Sequence, residues 1–316
     1  MSDLQQLIQA SRLYYELGET QSRVAELLGV TRPQVSRLLK RARAEGIVEI
    51  RIVDQASVGS TAGDELRARF GLASVHLSPA LVGPEEVSRR MIGRLAAEVL
   101  RGSIRDGAVV GIGDGASISA VADAVAADEP LHETGATVVP LCGGYWFAGP
   151  AREPFRRVAD GIGGLPIGLL APGLVDDPAT KRALMADAGV RRIAEIWGRL
   201  EVIAFGIGGP TWGAGAIGPD IAAALERDGA VGEVLVSPYD LDGRFVCDAL
   251  RDRTIAFDTR KLGRIPVRIG VAGGAGKVRP ILGALRGRML TSLVTDEPTA
   301  EAVLELDVAD RVGRGS

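Results

Sequence analysis

Three observations in the 316-residue sequence predict an α/β chain in two parts, a small helical head and a doubly wound parallel body. Apolar residues recur at three-to-four spacing between helix-capping residues up to Ala44. Beyond Gly63, short continuous apolar runs alternate with amphipathic stretches. The charge divides the same way: residues 1–53 hold eight Lys/Arg against six Asp/Glu, whereas the whole chain has a net charge of −3.

The head reads as three helices. Leu4, Leu7, Ile8, Leu13, Tyr14 and Leu17 mark the first, and Gly18 is suited to end it. Thr20 caps a second, short helix in which Val24, Ala25, Leu27 and Leu28 are expected to face inward, and Gly29-Val30-Thr31 breaks it. Thr31 can cap the third, Pro33 falls in its first turn, and Val35, Leu38, Leu39 and Ala42 form its apolar stripe. Gly46 and the run IVEIRIV then supply a strand able to act as a wing.

The third helix carries an unusual charge. Thr31 to Arg43 holds five basic side chains and no acidic one. The apolar stripe leaves Arg32, Gln34, Ser36, Arg37, Lys40 and Arg41 on the outer faces. This arrangement predicts a winged helix-turn-helix whose third helix enters the major groove of duplex DNA. Arg37 and Gln34 are candidates to read base edges, since Arg pairs with two acceptors of guanine and Gln with adenine. Thr31, Lys40 and Arg41 are placed to hold phosphates.

DQASVGSTAG, residues 54–63, is small and polar and reads as a linker, which gives a head over 1–53 and a body over 64–316. In the body, AVVGIG (108–113), ATVVPL (136–141), EVIAFGIG (201–208), VRIGVAGG (267–274) and TSLVTD (291–296) read as buried parallel strands. The helical stretches between them predict right-handed crossovers and a Rossmann-like sheet, with a ligand site where loops leave the carboxyl ends of the strands.

Those strand ends carry the candidate binding residues. GIGDGAS places Gly111, Gly113 and Gly115 between a strand and a helix, where exposed amides favour an anion. The same pattern suits a tight turn alone, and the second strand runs into Cys142-Gly143-Gly144 where a dinucleotide site wants an acidic residue. FGIGGPTW, VAGGAGK and LVTDEPT end further strands on the same side, which argues for a polar pocket. Lys277 can hold a phosphate or carboxylate there. Asp240 and Asp242, in SPYDLDGRF, can bind sugar hydroxyls or cap a hairpin turn.

Other classes are disfavoured. Two cysteines about a hundred residues apart, Cys142 and Cys247, and two histidines, His76 and His132, do not suggest a disulfide framework, a metal knuckle or a histidine triad. No metal or cofactor is called for. No apolar run approaches the ~20 residues of a membrane span, and MSDLQQ does not read as a signal peptide, so a cytoplasmic address without membrane attachment is expected.

TQSRVAELLGVTRPQVSRLLKRARAEGIVEI resembles the DNA-binding head of the SorC family of bacterial transcription regulators. GIGDGAS, VVPLCGG, REPFRRVADGIG, LLAPGLV, FGIGGP, EVLVSPYDLDG and VAGGAGKVRPILGALRGRMLTSLVTDE follow that family's sugar-binding domain in order, so the resemblance runs from about Leu7 to Leu306. It implies an effector domain similar in fold to sugar-phosphate isomerases and deaminases. It also implies a homo-oligomer, dimer or tetramer, whose grip on operator DNA is altered by a sugar, a sugar phosphate or a related metabolite. An isomerase-like enzyme of the same fold is the alternative.

The family's glycine-rich effector loop falls on Gly113, Gly115 and Ser117, its paired glycines on Gly143 and Gly144, its lysine on Lys277, and its acidic sugar contacts on Glu233 and Asp240. Two departures stand out. Asp114 lies between the loop glycines, where its charge would repel a phosphate unless a cation offsets it. Leu141-Cys142 precedes the paired glycines where some members have arginine. A neutral sugar or polyol therefore stays open beside a phosphorylated one, and Arg152 and Arg156 are candidates to replace the missing charge.

Overall fold

The computed structural model describes residues 3–48, 61–80, 83–127, 133–144, 153–209 and 217–314. The chain forms two compact units, residues 1–55 and 56–316.

In the head, α1 (Asp3–Ser11) continues through one π-helical turn, Arg12–Glu16, which closes with the Leu17 N–H donating to the Arg12 carbonyl at 3.0 Å. Gly18 follows at φ +69°. The side chain of Thr20 accepts from the Arg23 N–H at 3.2 Å to cap α2 (Gln21–Leu28), and Gly29 ends that helix in the left-handed region. After the turn, α3 (Arg32–Ala44) begins. Leu7, Ala10, Val24, Val35 and Leu39 are buried between the three helices. Leu27, expected to face inward, is 49% exposed. Val24, Ala25 and Leu28 define the buried direction, and each helical step rotates about 100°, so Leu27 falls roughly a quarter-turn or more off it. Leu4 and Leu17 are likewise outside the packed stripe. Of the expected wing, Ile47 and Val48 form a bend, and the rest lies outside the described residues.

The body is a seven-stranded, wholly parallel sheet. Its first helix, α4 (Thr61–Phe70), takes in the last three residues of the expected linker, whose remainder lies outside the described residues. Then follow β1 (Ser74–Ser78), α5 (Glu85–Ser103), β2 (Val109–Ile112), α6 (Ala116–Ala127), β3 (Thr137–Pro140), α7 (Pro154–Gly161) and β4 (Leu165–Pro166). The chain continues through α8 (Pro178–Ala186), α9 (Ala188–Trp197), β5 (Val202–Gly206), α10 (Pro219–Arg227), β6 (Gly232–Val234), β7 (Ser237–Tyr239) and α11 (Asp248–Arg251). It closes with β8 (Val267–Val271), α12 (Val278–Arg286), β9 (Ser292–Asp296) and α13 (Glu297–Arg314).

The strand order is β1-β9-β8-β5-β2-β3-β4, with β6 and β7 as a separate antiparallel hairpin. All five expected strands are present. Besides the β6–β7 hairpin, the pattern missed two strands of the large sheet, both at its edges: β1 is interrupted by His76, and β4 is a two-residue Leu-Pro segment, a composition tolerated only where a ladder hydrogen bond is not needed. The order of chain entry reverses between β2 and β5, since β2, β3 and β4 step outward one way and β5, β8 and β9 the other.

Both faces are covered, as a parallel sheet requires. Val110, Ile112 and Val138 pack with α5, α6 and α7 on one side, while Val139, Ile203 and Phe205 pack with α4, α9, α12 and α13 on the other. Gly93 lets α5 approach α6 closely, because a Cβ there would lie 2.8 Å from the backbone of Ala120.

A buried carboxylate fastens the last helix. Asp307 of α13 has no exposed surface and accepts from Arg286 of α12 at 2.7 and 3.2 Å and from Arg69 of α4 at 3.3 Å, with Arg311 at 3.0 Å. Removing one partner of such a cluster leaves confined charges unpaired. Asp307→Ala is expected to cost about 3 kcal/mol of unfolding free energy, measured by urea denaturation.

Candidate effector pocket and DNA-binding helix

A cavity of about 450 Å³ opens where β2 and β5 part, and it extends past the ends of β8 and β9 toward the start of α5. This is the size and place at which open α/β sheets bind small molecules. Asp114, Gly115, Ser117, Glu233 and Lys277, the residues expected at such a site, all line it.

The first wall is the turn from β2 to α6. Gly113 is packed against Phe205 and Leu235, where a Cβ would meet them at 3.2 and 3.3 Å, so it shapes the wall from beneath. Gly115 adopts φ +104°, and the Asp114 carboxylate accepts from its N–H at 2.7 Å. The loop thus supplies its own anion to the helix start.

The second wall comes from the hairpin. Gly208, just after β5, and Glu233 of β6 exchange backbone hydrogen bonds of 2.9 and 3.2 Å. The Glu233 carboxylate accepts from the Val236 N–H at 2.9 Å, across a turn in which Leu235 and Val236 both have positive φ, 49° and 61°. Neither residue tolerates that region readily, so the turn is strained and the surrounding contacts hold it. Gly208 is required, since any Cβ there would run into the Glu233 side chain.

Lys277 closes a short 3₁₀ turn, Ala275–Lys277, ahead of α12. Its side chain is half-buried and makes no ion pair among the described residues. Burial pushes the Lys277 ammonium down from its ordinary value and pushes the Glu233 carboxyl up, and each of the two partly offsets the other's shift.

At the base, the buried Asp296 caps α13. It accepts from the Thr299 N–H at 3.0 Å, from the Thr299 hydroxyl at 2.6 Å and from the Gly274 N–H at 2.9 Å.

Five of the expected ligand residues are placed otherwise. Asp240 accepts from the Asp242 and Arg244 N–H groups at 3.0 and 2.8 Å, which is a turn cap, and Asp242 pairs with Arg244 and Arg314 at 2.8 and 2.6 Å. Neither lines the cavity. Gly143 and Gly144 pair with the Ile255 and Ala171 carbonyls at 2.9 and 3.0 Å, and a Cβ on Gly143 would strike the Pro172 carbonyl, so they serve loop packing. Arg156 is bound to Glu153 at 2.8 Å, outside the cavity lining, and Arg152 lies outside the described residues.

The two charged lining residues that the sequence did not reveal are Glu85 and Arg89, joined at 2.8 Å on the first turns of α5. Their i, i+4 spacing has the look of an ordinary helix-surface pair. Only the crossover from β1 brings them over the strand ends.

On the head, Arg32, Ser36, Arg37 and Lys40 are exposed along α3. Gln34 is engaged: its amide oxygen accepts from the Thr31 N–H at 2.7 Å and from the Thr31 hydroxyl at 2.9 Å. Arg41 is tied to Asp3 of α1 and to Glu45, an arrangement that straps α1 to α3. Among the described residues, the Arg37 side chain has one hydrogen bond, to the Pro33 carbonyl at 3.4 Å.

A three-helix DNA-binding head with a basic third helix, followed by a parallel α/β domain with a strand-end pocket, defines a one-chain transcription regulator with a ligand-binding domain. Residues 57–305 match the family described as "Putative sugar-binding domain", and residues 2–49 match a homeodomain-like domain. The chain belongs to the SorC family of sugar-binding transcriptional regulators. The deoxyribonucleoside regulator of Bacillus subtilis (strain 168) is 30% identical, over 94% of this chain and 96% of its own. The sorbitol operon regulator of Klebsiella pneumoniae is 28% identical, over 96% and 98% respectively. The crystal structure of that full-length regulator, SorC, superposes with a TM-score of 0.78 at 27% identity, covering 96% of this chain and 99% of the other. Among the described residues, no helix is long and apolar enough to cross a membrane.

The raised position of Glu233 has a measurable sign. A carboxyl whose folded pKa lies above the unfolded value of about 4.3 contributes stability below that value and loses the contribution as pH rises through the folded pKa. Glu233→Gln keeps an acceptor for the Val236 N–H but does not titrate. The variant is therefore expected to gain stability relative to wild type as pH rises above about 4.3, in paired urea denaturations.

Proposed function

We propose that this protein regulates a carbohydrate operon from the cytoplasm, binding duplex operator DNA through α3 and releasing or tightening it when a small carbohydrate occupies the pocket. The carrying observation is the coexistence in one chain of a capped, basic helix after a left-handed glycine turn and a polar pocket at the sheet's switch point. Relatives over nearly the whole chain are named for regulating sorbitol or deoxyribonucleoside genes, which supports a carbohydrate effector over an isomerase-like activity.

Arg37 is the favoured base reader and Lys40 and Arg32 the favoured phosphate contacts, because their charges are free of acidic partners among the described residues. Ser36 would add a hydroxyl contact to the backbone, while Thr31, whose hydroxyl donates to Gln34, caps the helix. Gln34 reads bases with its amide NH₂ while its oxygen holds the cap, and Arg41 contributes mainly by bracing the helix. Asp114, Gly115, Ser117, Glu233 and Lys277 bind the effector. The protein acts as a homo-oligomer, since two heads double the contacts on a palindromic site. Effector binding works by shifting the population of head spacings.

A gel shift on the protein's own upstream region tests this reading. Arg37→Ala is expected to lose about 1–3 kcal/mol at one base position, whereas Lys40→Ala weakens all sequences alike and flattens the salt dependence. Lys277→Ala should keep ligand-free DNA affinity and lose the carbohydrate response. Unchanged DNA binding in both head variants, or sugar-phosphate turnover by the wild type, would overturn the proposal.

A further inference from the structure

At each of the two glycine turns that could cradle a phosphate, the glycine amide is already taken by one of the protein's own carboxylates. The Gly115 N–H is given to Asp114 at 2.7 Å, and the Gly274 N–H to Asp296 at 2.9 Å and the Thr299 hydroxyl at 2.8 Å. At the third strand end the Gly208 N–H is committed to the Glu233 carbonyl. Anion sites of this fold depend on such amides being free to converge on the ligand.

The charge of the cavity points the same way. Its described lining holds four carboxylates, Glu85, Asp114, Glu233 and Asp296, against two cations, Arg89 and Lys277, an excess of two negative charges. Arg89 is spent on Glu85. Should burial discharge Glu233 and Lys277 together, the excess is unchanged. A phosphate dianion here would meet one unpaired cation amid several acceptors and would leave those acceptors unanswered.

A neutral polyhydroxy ligand meets the opposite situation. Each hydroxyl both donates and accepts, so the free oxygens of Asp114 and Glu233 can take its hydrogens while the Lys277 ammonium donates to its oxygens. We infer that the effector is an unphosphorylated polyol or free sugar, selected by the carboxylates that occupy the glycine turns. This rests on the reading of the cavity as the effector site.

The test uses the full chain and matched probes: erythritol, ribitol and glucitol, each beside its monophosphate, with glucosamine as a cationic control. Binding is read by calorimetry and thermal shift, and DNA release by gel shift in the same samples. The expected result is that at least one neutral polyol binds at least about tenfold tighter than its own monophosphate and than glucosamine. Asp114→Asn, which keeps an oxygen for the Gly115 N–H, is expected to reduce that polyol-to-phosphate preference by about tenfold. A monophosphate or glucosamine that binds tighter than every polyol and alters DNA binding would overturn the inference and leave the regulator intact. If no probe binds and none alters DNA binding, the inference and the carbohydrate-effector reading fall together. A preference left unmoved by Asp114→Asn would remove the carboxylate as its cause.

Discussion

The reversal of winding between β2 and β5 is the constraint on which the body's function depends. Because every strand of the sheet runs parallel, all carboxyl ends lie on one edge, and only at the reversal do the two neighbouring loops leave toward opposite faces. The gap between them becomes a crevice without any side chain having to be removed. The β6–β7 hairpin bonds to the Gly208 backbone at the rim, so Glu233 overhangs the crevice by main-chain geometry rather than by a flexible loop.

From that constraint follows a division of labour among carboxylates. Asp114 and Asp296 each take the glycine amide at a turn ahead of a helix before any ligand arrives. Glu233 secures a strained turn that without it would expose the Val236 N–H in a poorly solvated place. These interactions orient the oxygens that face the cavity. Lys277 differs from them in having no fixed partner among the described residues, so its ammonium remains available to a ligand.

The fold was largely legible in the sequence because its two periodicities are clean. Buried parallel strands are continuously apolar, and glycine marks each helix end in the head. The edge strands escaped because β1 carries a histidine and β4 a proline, and an edge position relaxes the pattern that reveals a central strand. At the pocket, loops directly after strands were readable from their glycines, whereas Glu85 and Arg89 were not, since their role depends on where α5 crosses the sheet. Asp240 and Gly143 show the reverse limit. Both have the residue type and loop setting of a ligand-binding position, and in each the backbone's own demand, a turn to cap or a carbonyl to clear, takes precedence.

The two units differ in charge balance, and this bears on which ligands each attracts. Arg41 is neutralised by Asp3 and Glu45 and stiffens the head, which leaves Arg32, Arg37 and Lys40 exposed in a chain segment with a surplus of basic residues. In the body Arg89 is paired with Glu85, and Arg69 and Arg286 are held by the buried Asp307. Beyond residue 53, acidic residues outnumber basic ones 34 to 29. A polyanion such as DNA is therefore attracted to the head and discouraged by the body, while the cavity, with the neutral effector proposed for it, selects by hydroxyl geometry at short range. Under the proposed function, charge selects the partner at the first site and hydrogen-bond matching selects it at the second.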